Sequence, residues 1–167
     1  QGESGALNEG FSDIFAMCVD NYVYGNVDWK LDEESQFFGV GALRDIANPH
    51  LSLEGGGHPT VYGDFNNGWI DPNDTTNDKG GVHYNSTILS HWFYILTEGK
   101  TGVNTIGNAY SVNGIGIEKA QRIAYRMLMT YLSPNSDFVE ARTWAIQSAQ
   151  DFVDAGLYEF TYDDVIA

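Results

Sequence analysis

The sequence predicts a mainly α-helical fold, and two observations support that prediction. Apolar residues recur at three- and four-residue steps in four separate segments, which is the period of a buried helical face. Residues 26–81 lack this period and are rich in Gly, Asn, Asp and Pro, so we expect a long irregular segment there. The expected organisation is a single domain over residues 1–167, with a helix at about 4–24, the irregular segment at 26–81 and a helical bundle at 86–167.

The first predicted helix ends at Gly25, a natural helix stop. Its apolar face comprises Leu7, Phe11, Ile14, Phe15, Cys18 and Tyr22.

Three further helices are predicted, at about 86–97, 117–132 and 137–153. Asp137 and Glu140 have the spacing of a capping box at the start of the last one. Pro134 separates the last two helices, whose short link predicts near-antiparallel neighbours. Residues 159–167 are expected to open one more helix.

The charge of the chain excludes two classes of partner. The formal net charge is −15 and no basic stripe offsets it, so neither nucleic acid nor an anionic membrane is an expected partner. No run of about 20 apolar residues is present, so no membrane span is expected. Cys18 is the single cysteine, which excludes a disulfide within the chain.

Two carboxylates stand one helical turn apart in the otherwise apolar first helix. Glu9 and Asp13 lie close to one line with Asp20, because eleven residues at about 100° each return to within roughly 20°. A carboxylate on an apolar face is costly unless it is paired, and a metal ion is a common partner. The alternatives are an interhelix salt bridge for Glu9 and a solvent-facing acid for Asp13.

Five segments, in order, carry a resemblance to a known family: ESGALNEGFSDIF, DNYVYGNVDWKLDEE, GALRDIANP, NDKGGVHYNS, and YLSPNSDF with AIQSAQDF. They resemble the C-terminal lobe of the catalytic domain of thermolysin-like zinc metalloendopeptidases, the M4 family. The H-E-x-x-H helix that supplies the other half of that family's active site is not in this chain.

The resemblance implies that Glu9 is the third protein ligand of a catalytic zinc, with two histidines coming from the absent lobe. It implies that Asp13 orients one of those histidines through its other ring nitrogen. Asn8 belongs to the same motif and is taken as a further residue beside the metal ligands.

The NDKGGVHYNS segment implies a catalytic pair. His83 would stabilise the tetrahedral intermediate, and Asp78 would orient its ring, with Gly80 and Gly81 allowing a tight turn between them. The alternative is a structural histidine. The other three histidines match no catalytic position and are expected to be structural or on the surface: His50, His58 and His91.

Substrate contacts are implied for three residues. Arg44 would bind the substrate carbonyl after the scissile bond with its guanidinium fork, the alternative being a buried salt bridge to an acidic loop. Leu43 and Leu31 would line the pocket for the side chain that follows the cut, which favours bulky apolar residues.

The resemblance also implies calcium as a second cofactor beside zinc. Asp20 and Asp28 match calcium ligands of the family, and Glu33 is a candidate third.

We therefore expect half of a secreted zinc endopeptidase that hydrolyses peptide bonds with a metal-activated water. Its partners would be a peptide or protein substrate and the H-E-x-x-H lobe, and the chain alone would be inactive. The start at Gln1, directly in a motif, indicates a processed or excised fragment. The alternative hypothesis is a non-catalytic module of the same fold that binds calcium or a glycan.

Overall fold

A computed structural model describes residues 1–32, 41–52 and 57–167. The prediction of a mainly helical fold is confirmed. The helices are α1 (Gly2–Tyr24), α2 (Asp78–Glu98), α3 (Ile117–Arg126), α4 (Phe138–Asp154) and α5 (Tyr162–Val165).

Helix α1 has nearly the predicted bounds and ends at Gly25, whose φ of 75° is left-handed. Its predicted apolar face is wrong at Tyr22, which is 90% exposed. The last turn of the helix extends past the core, since Val23 and Tyr24 are also exposed.

Helix α2 spans Asp78–Glu98, but its first residues form a left-handed turn in which Lys79, Gly80 and Gly81 have φ values of 55°, 86° and 74°. The tight turn expected at the two glycines thus precedes the regular helix, which begins at Val82, a few residues before the predicted start near residue 86. Asp78 stabilises that turn by accepting hydrogen bonds from backbone N–H groups further along the helix.

The helices after α2 end close to where the sequence indicates. Helix α3 continues as a π-helical turn over Met127–Tyr131. Asp137 caps α4 by accepting from the N–H of Glu140 at 2.8 Å. Helix α5 is shorter than the predicted 159–167, and a complete capping box between Thr161 and Asp164 fixes its start.

Four short strands form two antiparallel pairs in the described part of the chain. Strand β1 (Lys30–Leu31) pairs with β2 (Arg44–Asp45). The hairpin of β3 (Lys100–Val103) and β4 (Ala109–Val112) was not predicted. The described parts of 26–81 otherwise hold two 3₁₀ turns, Pro49–Leu51 and Phe65–Asn67, before α2 begins.

The apolar core lies between α1, α2, α3 and α4, and α1 packs chiefly against α2. Cys18 is half-buried against this core, and burial raises the pKa of its thiol to about 11. Among the described residues, no helix combines the length and apolar character needed to cross a bilayer. The largest fully buried apolar side chains of the core are Ile14, Met17, Ile46, Phe93, Ile123 and Met127.

Candidate active site

Two glycines bring α1 and α2 into close contact. A Cβ atom added to Gly5 would lie 2.5 Å from Cγ1 of Val82, and one added to Gly10 would lie 2.9 Å from the carbonyl oxygen of Ser86. These distances leave no room for a side chain. The missing side chains therefore let the helix with the acidic motif approach the helix with the histidine.

The close packing places Glu9 beside His83. The Oε1 atom of Glu9 lies 3.9 Å from Nε2 of His83, although the residues are far apart in sequence. Their side chains are 33% and 40% exposed, so both can be reached from solvent. A carboxylate and an imidazole thus face the same open surface.

The other ring nitrogen of His83 is held by Asp78. The Nδ1 atom lies 2.6 Å from Oδ1 of Asp78, whose side chain is 16% exposed. Oδ2 of Asp78 accepts from the backbone N–H of His83 at 2.7 Å and of Tyr84 at 3.3 Å. One carboxylate therefore both starts the helix and fixes the orientation of the imidazole ring.

One turn beyond Glu9, Asp13 forms a buried ion pair with Arg44. Nη2 of Arg44 donates to Oδ1 of Asp13 at 2.8 Å, and the two side chains are 11% and 2% exposed. Oδ2 of Asp13 and Nε of Arg44 are buried without a hydrogen-bond partner in the described structure. Burial raises the pKa of Asp13, although the charge of Arg44 acts in the opposite direction.

The solvent-facing alternative for Asp13 is therefore wrong. Arg44 does form the buried salt bridge considered as its alternative, but the partner is a residue of α1 rather than of an acidic loop.

The two proposed pocket leucines are neighbours in the β1–β2 ladder. Leu31 is the register partner of Arg44, and the N–H of Leu43 donates to the carbonyl of Leu31 at 2.9 Å. Both leucines are partly buried. The ladder therefore fixes the two leucines and the arginine as one unit.

The remaining predicted site residues are less constrained. Asn8 is exposed beside Glu9. Asp20 is half-buried near the end of α1, and Asp28 is exposed with its Oδ1 accepting from the N–H of Lys30. Glu33 lies outside the described residues.

The described residues hold no group of three His, Cys, Asp or Glu side chains arranged to bind a metal ion. A catalytic zinc site needs three protein ligands. Glu9 suits one of these, because it is an accessible carboxylate beside His83. The unpartnered Oδ2 of Asp13 fits a donor from outside the described residues, as the N–H of a metal-bound histidine would be.

The three histidines without a catalytic match are distributed as expected between core and surface. His50 is exposed, and His58 is fully buried. His91 is buried with Nδ1 2.7 Å from the carbonyl oxygen of Ile46. Sequence reasoning did not foresee that bond, or the ion pair of Asp13, because residues distant in sequence give no periodic signal.

Comparisons with known proteins found a matching family model and several relatives. Residues 1–162 match the family model described as "Thermolysin metallopeptidase, alpha-helical domain". The chain is 40% identical over 153 residues to the thermostable neutral protease NprT of Geobacillus stearothermophilus. It is 39% identical over 153 residues to thermolysin of Alicyclobacillus acidocaldarius subsp. acidocaldarius, and 35% over 161 residues to bacillolysin of Bacillus cereus.

These alignments cover most of this chain and little of each relative. They include 90% of the chain for the first two relatives and 95% for the third. They include only 25%, 25% and 26% of the relatives themselves. The chain thus spans about a quarter of the length of the curated relatives that it matches.

Proposed function

Because the chain belongs to the family of the thermolysin metallopeptidase α-helical domain, we propose that it supplies one half of a zinc endopeptidase active site. The observation that carries the proposal is the convergence of Glu9, Asp78 and His83 from two helices. It pairs an accessible carboxylate with an imidazole whose orientation is fixed. In this proposal residues 1–167 form one domain and the H-E-x-x-H lobe completes the site.

Glu9 is the zinc ligand that this chain contributes. The chemistry that zinc supplies when bound is polarisation of a carbonyl group and activation of a water molecule. Glu9 suits the role because its carboxylate is anchored on a long helix and remains one-third exposed. The carboxylate of Asp13, one turn along, offers Oδ2 to hold a histidine of the other lobe in its correct tautomer. Asn8, exposed and next to Glu9 in the chain, is a further residue beside the zinc ligand.

His83 is the hydrogen-bond donor for the substrate carbonyl as negative charge develops on its oxygen. The protonated ring donates from both nitrogens. Nδ1 is committed to Asp78, which leaves Nε2 on the side of Glu9. A donor aimed in advance at an oxyanion is worth about a hundredfold or more in kcat.

Arg44 binds the substrate on the leaving-group side. The Arg44 guanidinium has five N–H donors, of which Asp13 accepts from one, and the Arg44 side chain remains 11% exposed. Leu31 and Leu43 are fixed next to it by the β1–β2 ladder. An apolar pocket of that kind favours bulky apolar side chains after the cut.

The proposal includes secretion of the parent enzyme, peptide or protein substrates, and calcium bound near the end of α1. The calcium ligands are Asp20 and Asp28, with Glu33 as a third. The support for calcium is the family resemblance and the oxygen chemistry of these side chains.

The test is a pair of substitutions in the complete protein. Glu9→Gln should lower the zinc content measured after dialysis, because an amide is a weaker ligand than a carboxylate. His83→Ala should retain zinc and lower kcat by about a hundredfold. Glu98→Gln, at an exposed position, and His50→Ala are the matched controls and should change neither quantity.

Loss of zinc in His83→Ala together with full zinc in Glu9→Gln would contradict the assigned roles. Full activity in both variants would show that neither residue takes part in catalysis, whereas a complete protein without any peptidase activity would favour the non-catalytic module.

A further inference from the structure

Asn85 links α2 to the irregular segment through both ends of its amide. Its Nδ2 donates to the carbonyl of Ile70 at 2.8 Å, and its Oδ1 accepts from the N–H of Ile70 at 3.1 Å. The side chain is fully buried. It therefore pairs with the Ile70 backbone as a neighbouring strand would, and holds that residue against the helix.

The segment held in this way contacts the turn that precedes His83. A Cβ atom added to Gly81 would lie 2.6 Å from Nδ2 of Asn85 and 2.8 Å from Cβ of Ile70. One added to Gly80 would lie 2.4 Å from the carbonyl oxygen of Pro72. Residues 70–72 thus form one wall of the turn, and Asn85 fixes that wall.

The turn needs such support because its backbone is unfavourable. Four consecutive residues have left-handed φ values, and two of them, Asp78 at 48° and Lys79 at 55°, are not glycine. This conformation is unfavourable for a non-glycine residue and persists only where the surroundings impose it. The same turn carries Asp78, whose carboxylate holds the ring of His83.

We propose that Asn85 is a positioning residue for His83. It keeps residues 70–72 against the left-handed turn, the turn keeps Asp78 in place, and Asp78 keeps Nε2 of His83 facing Glu9. The inference rests on the proposed function, since it requires His83 to act in catalysis. Asn85 touches no reacting atom, so its effect must act through the orientation of the ring.

A purely stabilising role is the competing explanation, and the neighbouring Thr87 offers a matched control. Its hydroxyl is also fully buried on α2 and donates to the irregular segment, at the carbonyl of Pro59, at 2.8 Å. It also lies within 2.9 Å of the carbonyl of Tyr84. Thr87→Val removes a buried link of the same kind without touching the left-handed turn.

The experiment uses the complete protease with Asn85→Asp, Asn85→Ser and Thr87→Val, each in the wild-type and His83→Ala backgrounds. Asp keeps the shape but loses the donor, and Ser tests the same contact without adding charge. Zinc content, Tm, kcat and KM are measured, with activities taken well below each Tm.

Both Asn85 variants should lower kcat by about tenfold or more at unchanged KM and zinc content, because a small displacement of a catalytic group is costly. The loss should vanish in the His83→Ala background, as expected for two residues that act as a unit. Thr87→Val should lower Tm and leave kcat unchanged in both backgrounds.

Unchanged kcat in the Asn85 variants would overturn the inference, as would an equal fold-loss in the His83→Ala background. Either result leaves the proposed function standing if His83→Ala alone still lowers kcat. If His83→Ala has full activity, the proposed function and the inference both fail.

Discussion

Arg44 and Asp13 form an ion pair of 2.8 Å between the β1–β2 ladder and the middle of α1. The pair connects the substrate-binding unit in the proposed site with the helix of the proposed zinc ligand. Its members respond differently to loss of the partner. A carboxyl can neutralise itself by taking up a proton, whereas a guanidinium cannot lose one in a protein. Burial already raises the pKa of Asp13.

The first prediction follows from this asymmetry. Asp13→Ala should lower the free energy of unfolding of this chain by about 3–5 kcal/mol, because it leaves a buried charge without compensation. The loss in free energy of unfolding caused by Arg44→Leu should become smaller as the pH is lowered, since Asp13 then becomes neutral. Urea denaturation between neutral and acidic pH measures both.

The control is Glu118→Ala, which removes the partner of Arg122 in an exposed pair of 3.8 Å and should cost less than about 1 kcal/mol. A cost for Asp13→Ala no greater than that of Glu118→Ala would show that the pair does not hold β2 to α1.

The parts of the fold that the sequence predicts are those with local causes. The helical period places α1, α3 and α4, and the Asp137 cap is visible as a spacing. The start of α2 near residue 86 was placed too late, because the regular helix follows directly on the left-handed turn that Gly80 and Gly81 allow, and the Asp78 carboxylate accepts from its first N–H groups.

Within the candidate site, the motifs indicate which residues matter but not how they pair. The bond between Asp78 and His83 spans five residues and was expected from the motif. The pair between Asp13 and Arg44 spans 31 residues and depends on tertiary packing, which no single-sequence pattern encodes. The contact of Asn85 with Ile70 is of the same kind.

His91 predicts a specific pH dependence of stability. The Nδ1–H of His91 donates to the carbonyl oxygen of Ile46, because a carbonyl can only accept. Burial lowers the pKa of the His91 ring from its ordinary value of 6.5 to about 4. Below pH 6.5 the His91 ring therefore binds a proton in the unfolded chain, whereas in the folded chain it binds one only near pH 4. The free energy of unfolding should fall across this window, by at most about 3 kcal/mol, and be insensitive to this group above it.

His91→Gln should remove that slope, whereas His50→Gln, at an exposed histidine, should retain it. Carboxylates whose pKa is lowered, such as Asp151 and Asp164, lose their stabilising contribution only below their ordinary value of 3.8. The two effects are therefore separable by urea denaturation at a series of pH values. A slope between pH 6.5 and 4 that survives in His91→Gln would assign it to another group.

The isolated chain should neither retain zinc through dialysis nor cleave a peptide. The described residues offer Glu9 but no group of three ligands, and a single carboxylate cannot chelate the ion. Metal analysis and a fluorogenic peptide assay check this against the complete protein, which should do both. Chelator-sensitive cleavage by the purified chain would contradict the proposed division of the site between two lobes.

Calcium should stabilise the complete protein through the end of α1 and the segment after it. A ligand that binds only the folded state adds about 1.4 kcal/mol for each tenfold rise above its Kd, so Tm should increase with calcium concentration. Asp20→Asn and Asp28→Asn should each reduce that increase, because an amide lacks the charge that calcium prefers. Asp163→Asn, an exposed acid in α5, is the control and should leave the calcium dependence unchanged. If the increase in Tm is the same in all three variants as in the parent, Asp20 and Asp28 do not bind calcium and the stabilising site lies elsewhere.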